Sequence, residues 1–399
     1  MLPSINPVVK NIPEALSIFV NQLVYDKESK GERVYTFSLG EAFFNVPRFE
    51  VSDEDFKKGY HYSNSMGQPA LRKKIAEMYH DYYKVSADPE TEILISAGSK
   101  AIIYMLLKTV VSDGEEVLVH EPAWLSYSEQ IRLAGGICVP IPYDKSISEW
   151  ERYITDRTKV IILNNPNNPS GQLYSREELE ALYRIAEKND LFILVDEAYS
   201  DFILPGYPFV SFASVDTGKE HCLIVNSLSK NMGLSGWRVG YAIAHADVIR
   251  QLLKLNQHII TCAPTLLQDY MAAHFEEILN VTIPQARAMA VKRKAVQDIM
   301  DEIGIRYMKG AGTFYFMIDV SDFRGTTEEL VYTLLLKDNI ATVPGRAYGI
   351  STSGHLRFGI GVENLEDIKK CLLVIKHYLE LPYFDGTEIR RCMEEKGIL

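Results

Sequence analysis

Ser227-Leu228-Ser229-Lys230, followed by Gly236-Trp237-Arg238-Val239-Gly240-Tyr241, puts a lysine amine beside two hydroxyls and an arginine. An amine that can shed its proton condenses with an aldehyde. Ser227, Ser229 and Arg238 suit a phosphate, because hydroxyls donate to it and the guanidinium matches it as a rigid planar fork. The string therefore points to a phosphate-bearing aldehyde cofactor anchored through Lys230.

Four other segments carry residues of the same kind of chemistry. Asp196 closes the apolar run Leu191–Val195 and leads into Glu197-Ala198-Tyr199. It reads either as the charge partner of an electron-accepting cofactor ring or as a helix N-cap. Ala97-Gly98-Ser99-Lys100 precedes an apolar helical stretch, so its amides form an anion site at a helix N-terminus, or plain strand-to-helix punctuation. Trp124 follows a strand and either stacks on a flat ligand or packs in the core. Arg357, in His355-Leu356-Arg357-Phe358-Gly359, sits in an apolar strand-like run, where a guanidinium is costly without an anion. That anion is a substrate carboxylate, which arginine grips with two parallel hydrogen bonds, or an acidic neighbour in the chain. The turn Asn164-Asn165-Pro166-Asn167-Asn168-Pro169 is too short for a linker and suits a functional loop, with Asn168 at its end.

Short β-branched runs alternating with helical patterns must position these groups, the signature of a mostly parallel sheet covered by helices. Strands are expected at Ile93–Ser96, Glu116–His120, Gly136–Ile141, Val160–Leu163, Phe192–Val195, Leu223–Asn226 and Arg238–Ala244, and a helix at Arg176–Lys188. Ligands of such sheets gather at the carboxyl ends of the strands, where Gly98, Ser99, Trp124, Asn168, Asp196 and Lys230 all fall. After Gly304 the pattern changes: a glycine-rich turn at 310–313, an aromatic strand at Phe314–Ile318, and helices at Thr326–Lys337 and Asn364–Tyr378. We expect residues 47–289 to form a large domain, and 1–46 with 290–399 a smaller α+β one.

With 399 residues, 47% hydrophobic and 24% charged, the chain has the composition of an ordinary globular protein. A net charge of −11 argues against nucleic acid or an anionic membrane as partner. Five scattered cysteines, without metal-ligand spacing, suggest free thiols and no bound metal. With no signal-like segment and no long apolar run, a cytoplasmic location is the default expectation.

In this order, Asn168-Pro169-Ser170-Gly171, Asp196-Glu197-Ala198-Tyr199 and Ser227-Leu228-Ser229-Lys230 resemble the motifs of class I/II aminotransferases of fold type I, over residues 35 to 380. The resemblance implies a pyridoxal 5'-phosphate enzyme that exchanges amino groups between an L-amino acid and a 2-oxo acid in a ping-pong reaction. It implies Lys230 as the catalytic amine, Asp196 at the pyridine nitrogen, Asn168 and Tyr199 at the phenolic oxygen, and Trp124 stacked on the ring. The phosphate would fall to Gly98, Ser99, Lys100, Ser227, Ser229 and Arg238. Arg357, with Gly40 and Asn168, would hold the substrate. Tyr60 to Gly67 resembles a segment whose tyrosine, here Tyr62, reaches the phosphate of a neighbouring subunit, which implies a homodimer with shared sites. Where the family reads close to GEPDF, this chain has Gly40-Glu41-Ala42-Phe43-Phe44, so two phenylalanines could line the substrate pocket. Lys100 resembles a lysine that, in the bacterial aspartate aminotransferase subgroup, recognises a distal carboxylate; its alternatives are a place near the phosphate at the helix N-terminus or a reach to solvent. Lyases, cyclases and oxidases of the same fold share these motifs and remain the alternative chemistry.

Overall fold

Alternation of side chains along short aliphatic runs sets the architecture. In the computed structural model, which describes residues 3–13 and 16–395, twelve strands form: β1 Tyr35–Thr36, β2 Ile93–Ser96, β3 Glu116–His120, β4 Ile137–Ile141, β5 Thr158–Asn164, β6 Phe192–Asp196, β7 Cys222–Ser227, β8 Gly240–Ile243, β9 Tyr315–Asp319, β10 Ile340–Ala341, β11 Val343–Pro344 and β12 His355–Gly359. Seven of them make the main sheet in the order β2-β8-β7-β6-β5-β3-β4, parallel except for β8, which runs against both neighbours. Ile161, Leu163, Ile193 and Val195 point to one face and Val160, Ile162 and Leu194 to the other. Both faces are thus apolar and both are covered by helices, as parallel sheets require. The helix Ser99–Val110 buries Ile102, Ile103 and Met105 to Leu107 on one side; the helices Pro69–Tyr83 and Arg176–Asn189 cover the other. Ser175 and Glu178 form a reciprocal capping box that starts the last of these.

Five strand starts differ from expectation by one or two residues: β5 begins early at Thr158 and β7 at Cys222, while β9 begins late at Tyr315, as do β8 and β4. β8 begins at Gly240, not Arg238, because Arg238 has φ 54° and caps the short turn Ser235–Trp237. β4 begins at Ile137; as the sheet's edge it tolerates Pro140, whose missing N–H costs no interior ladder bond.

A second core forms around the antiparallel sheet β11-β12-β9 and the helices Thr327–Lys337 and Leu365–Glu380. The N-terminal segment joins it: β1 pairs in parallel with β10, and Val20, Val24 and Val34 pack on Leu335 and Ala341. Between the cores runs one 29-residue helix, Phe275–Ile303. Its Ile278 and Leu279 pack into the large core, and its Ala286, Val296 and Met300 into the small one. The division expected near residue 290 therefore falls within a continuous helix that changes packing partner.

Leu194 lies at the sheet's centre, fully buried. Leu194→Ala is expected to destabilise the protein by about 2–5 kcal/mol, read as an earlier unfolding midpoint in urea; a shift near zero would contradict this packing.

Candidate active site

Strands β2, β5, β6 and β7 end at the same edge of the main sheet, and each leads into polar residues. Gly40, Ser99, Lys100, Trp124, Asn168, Asp196, Tyr199, Ser227, Ser229, Lys230, Arg238 and Arg357 line one cavity of about 590 Å³. Gly98 adjoins it as the N-cap of the helix Ser99–Val110, at φ 88°. A Cβ on Gly98 would lie 2.6 Å from Arg238 Nη2, so glycine is what lets that guanidinium lie against the helix start. The first amides of a helix lack intrahelical acceptors, and with Arg238 they make this end of the cavity suited to an anion. Tyr62 does not line the cavity; it is 86% exposed beside Ala97, around a separate surface hollow.

Lys230 sits in the single helical turn Leu228–Asn231 directly after β7, where Ser227 Oγ accepts from Ser229 N at 3.1 Å and fixes the turn. Its Nζ donates to Gly40 O at 2.5 Å and lies 5.6 Å from the centre of the Tyr199 ring. Burial lowers its pKa from 10.5 to about 8, against the opposing pull of the Glu41 and Asp196 charges. An amine so placed is partly neutral near neutral pH.

Asp196 Oδ2 accepts from Tyr127 Oη at 2.8 Å and Oδ1 from Ala198 N at 3.1 Å. Burial raises its pKa; those two hydrogen bonds pull it back. The helix-cap reading is therefore only part of its role: one oxygen caps the turn after β6 and the carboxylate also faces the cavity. Asn164 holds the neighbouring loop, donating from Nδ2 to Asp196 O at 2.8 Å and accepting from Asn168 N at 2.6 Å. Asn168 Nδ2 reaches Tyr199 Oη at 3.4 Å. Trp124 borders the cavity instead of disappearing into the core, edge-on to Tyr127, with Lys100 Nζ 5.0 Å from its ring centre. Desolvation, then the Arg238 charge, lowers the Lys100 pKa.

Arg357, on β12, is buried with its guanidinium 4.7 Å from the Tyr315 ring centre and 5.1 Å from that of Tyr348. Nη2 donates to Ser38 O. Among the described residues no carboxylate lies within ion-pair distance, so the acidic-neighbour alternative is not realised. Arg357 Nε, Ser229 Oγ and Asn168 Oδ1 are buried without a hydrogen-bond partner among the described residues. Such orphans are expensive, and three around one cavity mark where a polar ligand belongs.

Two expectations about the pocket wall are corrected. Phe43 is 67% exposed, and Phe44 stacks on Phe202 against the second core and packs on Gly233; neither lines the cavity, Phe43 because its ring faces solvent and Phe44 because that core takes it up. Glu41 lines it instead and accepts a hydrogen bond from Ser235 Oγ. Sequence reasoning also missed Tyr315 and Tyr127. Tyr315 Oη lies 3.0 Å from Tyr199 Oη and 3.3 Å from where a Gly40 Cβ would stand, a close contact that a side chain there would have to push back. The glycine-rich turn at 310–313 was the available signal for Tyr315; Tyr127, inside an amphipathic helix, offered none.

A larger hollow of about 840 Å³ by Leu173, Leu204 and Ala311 carries no comparable set; its Lys294 and Lys309 pair with Asp298 and Asp301. Among the described residues no cluster suited to a metal ion and no helix able to cross a membrane is found.

The family model for aminotransferase class I and II matches residues 45–372. An aspartate aminotransferase of Bacillus sp. (strain YM-2) is 30% identical over 382 residues, covering 90% of this chain and 95% of the relative. Aromatic-amino-acid aminotransferase 2 of Thermococcus litoralis is 31% identical over 358 residues, covering 86% and 92%. Among solved structures, the aspartate aminotransferase of Thermus thermophilus with maleate superposes with a TM-score of 0.84 at 26% identity, covering 94% of this chain and all of that one. None of these relatives favours the lyase, cyclase or oxidase alternative. The chain thus belongs to the class I and II aminotransferases, with the fold-type-I architecture.

Proposed function

We propose that this aminotransferase holds pyridoxal 5'-phosphate in the cavity at the strand ends and takes an acidic amino acid, aspartate or glutamate, as amino donor. The observation that carries the cofactor reading is Asp196. It is a buried carboxylate with two neutral donors and no cation within ion-pair distance among the described residues, which suits a protonated ring nitrogen. The orphaned Ser229 Oγ and the Gly98–Lys100 amides, with Ser227 and Arg238, suit the phosphate; the orphaned Asn168 Oδ1 and the Tyr199 hydroxyl lie where further polar groups would be met. Trp124 would cover one face of the ring. When bound, the cofactor supplies a carbonyl that condenses with amines and a ring that accepts the electron pair left by a departing α-proton.

The chain's own groups do the rest. Arg357 binds the α-carboxylate of the amino acid or oxo acid, and its orphaned Nε is free for one of two parallel bonds. Lys230, neutral once its proton is lost, takes the proton from the substrate α-carbon and returns it during the exchange. Tyr315 and Gly40 close the side of the cavity next to that amine and limit water there.

For the donor, Lys100 is the supporting feature: its ammonium opens on the cavity, faces Trp124, and meets no carboxylate within ion-pair distance among the described residues. With Phe43 and Phe44 outside the wall, the pocket offers charge rather than a greasy slot. The same proposal includes a homodimer, supported by the exposed Tyr62 next to the Ala97 turn, a cytosolic location, supported by five free cysteines, and the division 1–46 with 290–399 against 47–289.

Two measurements test this reading. Assayed with 2-oxoglutarate against a panel of amino acids, Lys100→Ala is expected to raise KM for aspartate and glutamate about ten-fold more than for an uncharged donor; equal effects would reject the acidic-substrate reading. The second is pH dependence. Lys230 condenses with the cofactor aldehyde only when unprotonated, and burial lowers its pKa to about 8 in the cofactor-free chain, so the rate at which that chain takes up pyridoxal 5'-phosphate should rise with pH and level off above that value. Glu41 raises that pKa, so Glu41→Gln is expected to shift the rising limb to lower pH; an unmoved limb, or one continuing toward 10.5, would contradict the assignment.

A further inference from the structure

Glu121 is a buried acid that the chemistry above does not use. It follows β3 and stands three residues before Trp124. Among the described residues no cation lies within ion-pair distance of it. Its carboxylate is instead saturated by one loop of the small lobe: Oε1 accepts from Ile350 N at 3.1 Å, and Oε2 from Ser351 N at 2.9 Å and Ser351 Oγ at 2.5 Å. The contact is built on both sides. Gly349 has φ 146°, and a Cβ there would lie 2.4 Å from Glu121 Cδ, so only glycine admits the carboxylate. Next along the chain, Ala123 N donates to Tyr348 O at 2.7 Å, and Ser351 Oγ also accepts from Tyr143 N at 3.3 Å.

The clasped loop lies between β11 and β12, and β12 carries Arg357. Tyr348, at one end of the loop, presents its ring to the Arg357 guanidinium at 5.1 Å. The other side of the clasp leads directly to Trp124. Charged acceptors make the stronger hydrogen bonds, and three on one carboxylate hold a loop far more firmly than a surface ion pair would.

We infer that Glu121 is a positioning residue: by holding Tyr348–Ser351 of the small lobe against the end of β3, it sets the place of the Arg357 carboxylate clamp relative to Trp124. The inference rests on the reading of Arg357 as that clamp. Loss of Glu121 leaves the cofactor's partners Asp196, Lys230 and Arg238 untouched, so its effect falls on substrate binding.

The test uses the holoenzyme. Glu121→Gln keeps the volume but faces two backbone donors with an amide that can satisfy them only in part. Two changes are expected together: faster hydrogen exchange in peptides covering 345–353, and a rise in KM of about five- to ten-fold for both amino acid and oxo acid, with kcat within about two-fold. Unchanged exchange, unchanged KM, or a fall in kcat at constant KM would overturn the inference. Should Glu121→Gln fail to fold, Ser351→Ala removes only one of the three bonds and decides by the same readouts, with an expected rise of about two- to three-fold. Arg357→Lys serves as the control: if it leaves KM unchanged, the clamp reading itself fails, whereas a large effect there with none at Glu121 rejects the clasp alone.

Discussion

Asp196, Lys230 and Arg357 are ionisable groups placed around one cavity, and among the described residues none of them has an opposite charge at ion-pair distance. Asp196 has a tyrosine hydroxyl and an amide, Lys230 a backbone carbonyl, and Arg357 a carbonyl and two aromatic faces. Charges removed from water without counter-charges cost free energy, and the folded chain must offset that cost elsewhere. Two continuous cores, one on each side of the cavity, do so. The arrangement makes sense as a site whose missing charges arrive with its ligands: a cation for Asp196, an anion for the helix start and Arg238, and a carboxylate for Arg357.

Each group is held by the element that brings it there. β6 delivers Asp196 at its carboxyl end, β7 delivers the turn with Lys230, and β12 crosses from the second core with Arg357. The cavity therefore depends on the register between two lobes. That register is fixed by the shared helix Phe275–Ile303 and by polar contacts such as those of Glu121 with Ile350 and Ser351. Gly40 shows how tight the fit is: its carbonyl receives Lys230 while the absence of a side chain leaves room for Tyr315 Oη.

How much of the molecule is legible in its sequence depends on the range of the interactions involved. Strands in the main sheet declare themselves because their runs are apolar on both faces, and helix starts because Ser175 or Thr326 stands three residues before a glutamate. The Lys230, Asp196 and Asn168 segments were readable because each packs its chemistry into a few consecutive residues. Tyr127 and Glu121 were not, since their partners lie 69 and 229 positions away and nothing local distinguishes them from core or cap residues; Tyr315, whose partner lies 116 positions away, had only the glycine-rich turn before it as a signal. The late start of β8 at Gly240 turns on one left-handed residue, Arg238, which composition does not announce. That Phe43 faces solvent and Phe44 the second core turns on backbone direction, to which residue type is blind.

At the centre of the proposed chemistry stands Lys230, as the amine that binds the cofactor covalently. Its most direct test is to saturate the purified chain with pyridoxal 5'-phosphate, reduce with borohydride, digest, and locate the added mass. A single modified peptide is expected, carrying the addition on Lys230 and abolished when an excess of amino acid substrate is present during reduction. Labelling spread over surface lysines, or fixed on Lys100 with Lys230 unmodified, would contradict it.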